Sequence, residues 1–255
     1  MHTIHIPEAL NDFDAHVRRD ALRKVCGETR FPEPGTNFNM HCHSFFSYNA
    51  EGWSPSCVAY VCRAQGLCAA GLCDFDVLDG LEEFSDAGLS LGLRTAVHLE
   101  TRAYVPEFAE AEISSPGEPG VTYIMGCGFI RLPDPDTAQA RTLARLRDGA
   151  QERNLALLSR VNAALPAIAV DYARDVLPLT PMGVATERHI VRAYCNRART
   201  VMSDPAERAT FWSPVLKCGT EAFAALDANV PKMEDRVRNA LAKRGGLGYI
   251  QPTAQ

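Results

Sequence analysis

The sequence lacks an excess of basic residues, a long apolar run and an apolar leader. Its formal net charge of −5 argues against general binding to nucleic acid or anionic membranes, because both require a basic face. No segment approaches the ~18–20 apolar residues that a membrane-spanning helix needs. Met1 to Glu8 has no basic stretch followed by an apolar one, so we expect no signal peptide and a cytoplasmic location.

The zinc-knuckle spacing C-x2-C is also missing, although the chain contains nine cysteines. Several of them lie among apolar residues, as at Cys62 and Cys68. We therefore interpret the cysteines as small reduced core residues rather than as metal ligands or disulfide partners. Apolar residues make up 46% of the 255 residues, which is enough for a single α/β barrel with a sizeable core.

Two histidines separated by one residue stand at the end of a short apolar segment, at His41 and His43. Side chains of a strand alternate between its faces, so these imidazoles point one way while Met40 and Cys42 point the other. Paired neutral imidazoles suit a divalent metal ion. The pattern is equally compatible with two hydrogen-bonded polar residues on a half-buried strand.

The first hundred residues alternate between strand and helix patterns. We expect helices at about 8–24, at Pro55–Gln65 after the cap Ser54 and at about Asp79–Leu91, with strands at Phe38–His43, Leu67–Cys73 and Leu93–Glu100. Such an alternation predicts a parallel sheet. Candidate ligands end the strands: His41 and His43, Asp74 and Asp76, His98 and Glu100. Because the carboxyl ends of parallel strands share one edge, this convergence favours a functional site.

The second half of the chain has a different pattern. After a Pro/Gly-rich loop at 104–120 we expect a strand at Val121–Phe129, and then helices with no intervening strand over about 130–245. One of these helices follows the cap Thr186, and Leu247–Ile250 is expected to begin an extended segment. Residues 130–245 are too long for one crossover of a regular barrel, which predicts an inserted helical subdomain.

Five segments resemble, in order, the motifs of one family: Asn39–Ser44 followed by Ser54-Pro55, Cys73–Asp76, Val97–Glu100, Tyr123–Gly126 and Glu187–Ala193. That family is the PHP (polymerase and histidinol phosphatase) superfamily, and the last segment is similar to a helix of its nucleotide-phosphatase branch. The resemblance extends over about residues 37–251. It implies an α/β fold of the distorted (β/α)7 PHP type, forming one domain over 1–255 with a helical insertion at 130–245.

The chain departs from the family pattern at several positions. Phe75 stands where the family has a histidine ligand, Tyr123 replaces another histidine, and the ligand of the first loop falls near Asn49. The family continues with further strands where this chain ends, after Gln251. We therefore expect an incomplete barrel, from a fragment of a longer protein or a shortened relative.

The resemblance implies metal ligation by His41, His43 and Glu100, with a divalent ion such as Mn, Zn, Mg or Fe. Asp74 and Asp76 are candidates for ligation, for catalysis or for orienting the histidines. The alternative is that they cap the following helix together with Asp79. The remaining candidates for the catalytic site are two arginines that could clamp phosphate and one histidine of the inserted helices: Arg102, Arg188 and His189. The alternative for each arginine is a surface ion pair. We interpret His98 as a core histidine.

Three functions are compatible with these residues. The first is a metal-dependent phosphoesterase that uses a metal-activated water on a small phosphorylated or nucleotide substrate. The second is a degenerate relative that binds a ligand or a partner with little or no catalysis, as Phe75 and Tyr123 suggest. The third is a metal-dependent hydrolase of the amidohydrolase type. That class requires a later Lys or His and a late Asp, and this sequence shows neither after the expected helical insertion. The sequence does not indicate an oligomeric state.

Overall fold

A computed structural model of the chain describes residues 4–250. The expectation that Met1 to Glu8 contains no signal peptide therefore concerns residues that are only partly described. The chain end at Pro252–Gln255, on which the expectation of an incomplete barrel depends, lies wholly outside the described residues. Within that range the strands are β1 (Phe38–Cys42), β2 (Ala69–Phe75), β3 (Arg94–Tyr104) and β4 (Val121–Cys127). The α-helices there are α1 (Ala15–Glu28), α2 (Pro55–Ala64), α3 (Leu81–Leu91), α4 (Ala138–Ala164), α5 (Glu187–Val201), α6 (Pro205–Leu216), α7 (Thr220–Asp227) and α8 (Val230–Leu241). No helix among residues 4–250 combines the length and the apolar character needed to cross a membrane.

The chain divides into two compact units. The first, which we call the sheet unit, comprises the described part of Met1–Thr101 together with Tyr123–Asp148. The second, the helical unit, comprises Arg102–Thr122 together with the described part of Gly149–Gln255. The expected division into one domain with an insertion at 130–245 stays a prediction.

The sheet is curled into a half-barrel, with its strands in the order β1-β2-β3-β4. Strands β1 and β2 pair in parallel, as do β2 and β3. The α/β class and a partial barrel are thus as expected. Apolar side chains of β2 and β3 that point to one face, such as Leu72 and Val97, pack in a core with α2 and α3. The opposite face contains Cys73, Phe75 and Glu100, because strand side chains alternate.

Close contact between β1 and β2 depends on a glycine. A Cβ atom at Gly71 would lie 2.5 Å from the carbonyl oxygen of Met40, a distance that real Cβ atoms do not reach. The glycine therefore allows β1, and with it His41, to lie against β2. Helix α2 begins as the sequence predicts: Ser54 accepts a hydrogen bond from the amide of Cys57, and Pro55 occupies the first helical position.

The helical unit has its own core. Its largest fully buried side chains are Trp212, Tyr194 and Phe223, which pack with residues from α4, α5 and α8. No strand occurs in the described residues after 127, as expected for the predicted helical stretch.

One local prediction is wrong. Leu247–Ile250 is not extended: the amides of Leu247 and Gly248 donate to the carbonyls of Ala240 and Leu241, which folds the segment back over the end of α8. Such a reversal needs a left-handed residue, and Gly245 supplies it with a φ of 80°. The alternative that acidic residues cap α3 is not observed, because the cap position of this helix is Gly80, which has no side chain.

Candidate metal centre

Three side chains meet at the carboxyl end of the sheet. His41 lies near the end of β1, His43 directly follows that strand, and Glu100 belongs to β3. The Nε2 atom of His41 is 3.0 Å from Glu100 Oε2, and the Nε2 atom of His43 is 3.5 Å from the same oxygen. One ligand atom from each residue lies within 4.8 Å of the other two. The structure therefore brings together the three residues expected to ligate a metal.

The three groups differ in their exposure to solvent. The side chain of His41 is 46% exposed, whereas that of Glu100 is only 9% exposed. Burial, and then the nearby charge of His41, lowers the pKa of His43 from 6.5 to about 4. His43 is therefore neutral at physiological pH, which is the form that binds metal ions. Two imidazoles and one carboxylate make a donor set that fits a divalent transition metal such as zinc.

Asp74 anchors the loop that follows β1. Its buried carboxylate accepts hydrogen bonds from the Ser44 amide at 2.7 Å, the Ser44 hydroxyl at 2.6 Å and the Ser47 hydroxyl at 2.8 Å. Burial raises the pKa of Asp74 to about 6, although the three serine bonds act in the opposite direction. Asp74 thus holds the histidine loop and caps no helix.

Ser47 connects Asp74 to the candidate metal ligands. Its Oγ atom lies 3.4 Å from His43 Nδ1 while its hydroxyl donates to Asp74. This arrangement suits a proton on Nδ1 and leaves Nε2 directed at Glu100. The sequence prediction that Asp74 orients a histidine did not include Ser44 and Ser47. The only available signal was their position one and four residues after His43.

An aromatic pair, Phe75 and Tyr123, lies beside His43. The ring of Phe75 stacks on His43 with centroids 4.9 Å apart and an interplanar angle of 9°. Tyr123 packs against the edge of Phe75 at 5.8 Å. These aromatic contacts hold the imidazole of His43 at its face, while Ser47 contacts its edge.

Asp76 and Asn49 organise the backbone around the site. Asp76 has a left-handed φ of 59° and accepts a hydrogen bond of 2.6 Å from the hydroxyl of Thr101. Its amide donates to the carbonyl of Glu100. Asn49 donates 2.9 Å to the carbonyl of His43. Asp76 therefore does not cap α3, as the sequence alternative had it, and Asp79 instead forms an ion pair with Arg147.

His98 is buried, as expected of a core histidine. Its Nδ1 atom lies 3.3 Å from the amide of Gly128, which donates to it. Burial, and then the charge of His41, lowers the pKa of His98. It is not part of the three-residue cluster.

The other catalytic candidates belong to the helical unit. Arg102 pairs with Glu118 at 3.0 Å, and Arg188 pairs with Asp235 at 2.9 Å. His189 is buried, and its Nδ1 accepts a hydrogen bond of 3.0 Å from the amide of Thr186, the expected cap residue of α5. Their roles at a substrate stay predictions.

Comparison with known proteins gives a likeness of fold. No model of a known protein family matches the sequence, and neither does any curated protein. A crystal structure of a candidate metal-dependent phosphoesterase from Bifidobacterium adolescentis is similar with a TM-score of 0.50 and 19% identity, over 71% of this chain and 56% of the other. An amidohydrolase from Chromobacterium violaceum with bound sulfate gives a TM-score of 0.46 and 22% identity, over 69% and 54% of the two chains.

The chain thus spans little more than half the length of either structure. At 19% identity, the likeness to the first structure concerns the fold alone. Over most of its length, this chain has a fold similar to that of a candidate metal-dependent hydrolase.

Proposed function

We propose that the protein is a metal-dependent phosphoesterase of the PHP type, acting on a small phosphorylated substrate. The observation that supports it is the convergence of two imidazoles and one buried carboxylate at the carboxyl end of a parallel sheet. His41, His43 and Glu100 would hold a divalent ion. Such an ion, when bound, lowers the pKa of a water molecule and offsets the charge of phosphoryl oxygens.

The residues of the chain prepare this site in distinct ways. Glu100 provides a nearly buried negative charge, which attracts a cation strongly because little water screens it. His43 is neutral at physiological pH, so that its Nε2 lone pair faces Glu100 without competition from a proton. Asp74, through the two serine hydroxyls, fixes the loop that begins at His43.

Metal content and hydrolysis test the proposal together. We expect the purified chain to contain about one divalent ion and to hydrolyse p-nitrophenyl phosphate with added Mn²⁺. His43→Ala and Glu100→Gln should lose both properties. His16→Ala removes an exposed histidine of α1 and should retain both. A folded chain that binds no Mn²⁺ or Zn²⁺ would contradict the proposal.

A degenerate relative that binds a ligand without turnover is the second candidate. The specific observation in its favour is the aromatic pair, since Phe75 and Tyr123 fill two positions where the PHP pattern has metal-binding histidines. The same experiment separates the two functions. Bound metal without hydrolysis of any phosphate ester would favour the degenerate protein.

A further inference from the structure

A cavity of about 470 Å³ adjoins the candidate metal centre within the sheet unit. All four strands contribute to its wall, and His41 belongs to both the cavity and the three-residue cluster. Most of the wall is apolar or sulfur-containing, provided by Phe38, Met40, Cys73, Met125 and Cys127. Among the described residues that line it, there is no Asp, Glu, Lys or Arg.

Two polar side chains of the wall each accept a hydrogen bond from the backbone. Asn39 Oδ1 accepts a hydrogen bond of 3.0 Å from the amide of His41. His98 Nδ1 accepts one of 3.3 Å from the amide of Gly128. An anionic group placed against this wall would meet no lysine or arginine among the lining residues. Thioether and aromatic surfaces instead favour apolar groups.

We propose that this cavity, if the site is the phosphoesterase proposed above, takes the organic group of the substrate, and that this group is an uncharged aryl or alkyl moiety. The shared residue His41 places the cavity beside the group that would meet the phosphate. Its volume lies within the range of about 300–1,000 Å³ typical of small-molecule sites. The substrate class is therefore a phosphate monoester with an apolar organic group, since a second phosphate on that group would meet no lysine or arginine of the wall.

Binding of phosphonates, which resist hydrolysis, tests the cavity without turnover. Phenylphosphonate and methylphosphonate are titrated separately against the Mn²⁺-treated chain by calorimetry. We expect phenylphosphonate to bind about tenfold more tightly, because a phenyl ring buries apolar surface that a methyl group does not. Met125→Glu should abolish most of this preference. Met125 is 49% exposed, so the variant should fold; Met182, 59% exposed and outside the cavity, provides the matched control Met182→Glu.

The outcomes separate this inference from the proposed function. A preference for phenylphosphonate that Met125→Glu removes and Met182→Glu retains supports the cavity inference. If phenyl phosphate is nevertheless not hydrolysed, the proposed phosphoesterase activity is contradicted and the cavity inference is not. Equal affinity for the two phosphonates, or no binding of either, overturns the cavity inference, even where phosphate esters are hydrolysed. An equal effect of both methionine variants overturns it as well.

Discussion

Replacing Ser47 by alanine tests whether the hydrogen bonds of Ser47 orient His43 in the candidate metal centre. The hydroxyl of Ser47 donates 2.8 Å to the buried carboxylate of Asp74 and lies 3.4 Å from His43 Nδ1. Ser47→Ala removes both contacts and leaves the three candidate ligands, His41, His43 and Glu100, unchanged. The imidazole of His43 then loses its link to Asp74, and one of the three serine hydrogen bonds to that carboxylate disappears.

Two magnitudes follow from these contacts. Loss of an outer hydrogen bond to a metal-bound histidine lowers metal affinity by about 10–100-fold. Loss of a buried hydrogen bond to a carboxylate lowers the free energy of unfolding by roughly 1.5–3 kcal/mol. The pKa of Asp74, which burial already raises to about 6, should rise further, because one of the bonds that favour its charged form is gone.

Zn²⁺ affinity by competition with a chromogenic chelator measures the first effect, and urea unfolding of the metal-free chain measures the second. Ser56→Ala is the matched control: Ser56 is also buried, and its hydroxyl donates 2.8 Å to the carboxylate of Glu83. It should show a similar stability loss with unchanged Zn²⁺ affinity. If Ser47→Ala binds Zn²⁺ with wild-type affinity, or if both variants lose the same Zn²⁺ affinity, Ser47 does not orient His43.

Three further predictions concern a ligand, a titration and a backbone contact. Phe75→His places a third imidazole at the cluster and should raise Zn²⁺ affinity about tenfold or more in the same chelator assay. His189 should make the chain acid-labile: burial lowers its pKa from 6.5 to about 4, and protonation removes the acceptor of the Thr186 amide. Stability is therefore lost as the pH falls from 6.5 toward 4, by about 2–3 kcal/mol at pH 4.5; His189→Gln should remove most of that loss in urea unfolding. Gly71→Ala should lower the free energy of unfolding by about 1–3 kcal/mol, because its Cβ meets the backbone of Met40.

Each of these predictions has a contrary result. Reduced Zn²⁺ affinity in Phe75→His would show that its stacking on His43 matters more than an added ligand. An unchanged acid dependence in His189→Gln would assign the loss to other groups. Gly27→Ala, in α1 with no atom within 4 Å of its Cβ, is the control for Gly71→Ala and should be neutral or stabilising. Equal effects of the two glycine variants would exclude a specific contact with β1.

The convergence of His41, His43 and Glu100 could be predicted from the sequence because it depends on short-range rules. Strand alternation predicts one face for His41 and His43, and parallel pairing predicts that the strand ends share one edge. The structure brings the two histidines together although the register of β1 on β2 shifts between Asn39 and Cys42 and His43 follows the strand. The pairing of Phe75 with Glu100 follows from the same parallel arrangement of β2 and β3. Strand-helix alternation over the first hundred residues was predictable for the same reason.

Contacts between distant residues were not predictable in this way. Asp74 lies 30 residues from Ser44 in sequence, and a buried carboxylate accepts from whichever donors the fold places near it. The turn after α8 was missed because Gly245 and Gly246 indicate only that the helix ends. The direction of the chain beyond it depends on the backbone hydrogen bonds to Ala240 and Leu241.

Alternation along β2 explains how a single histidine is held on two sides. Asp74 and Phe75 are adjacent, so their side chains point to opposite faces of the sheet. Asp74 reaches the edge of His43 through Ser47, and Phe75 stacks on its ring. His43 is therefore held in place by the chain itself, whereas the more exposed His41 contacts Glu100 and also lines the cavity. Two adjacent residues of β2 therefore fix the imidazole of His43, Asp74 through Ser47 and Phe75 by stacking, and keep this candidate ligand directed at Glu100.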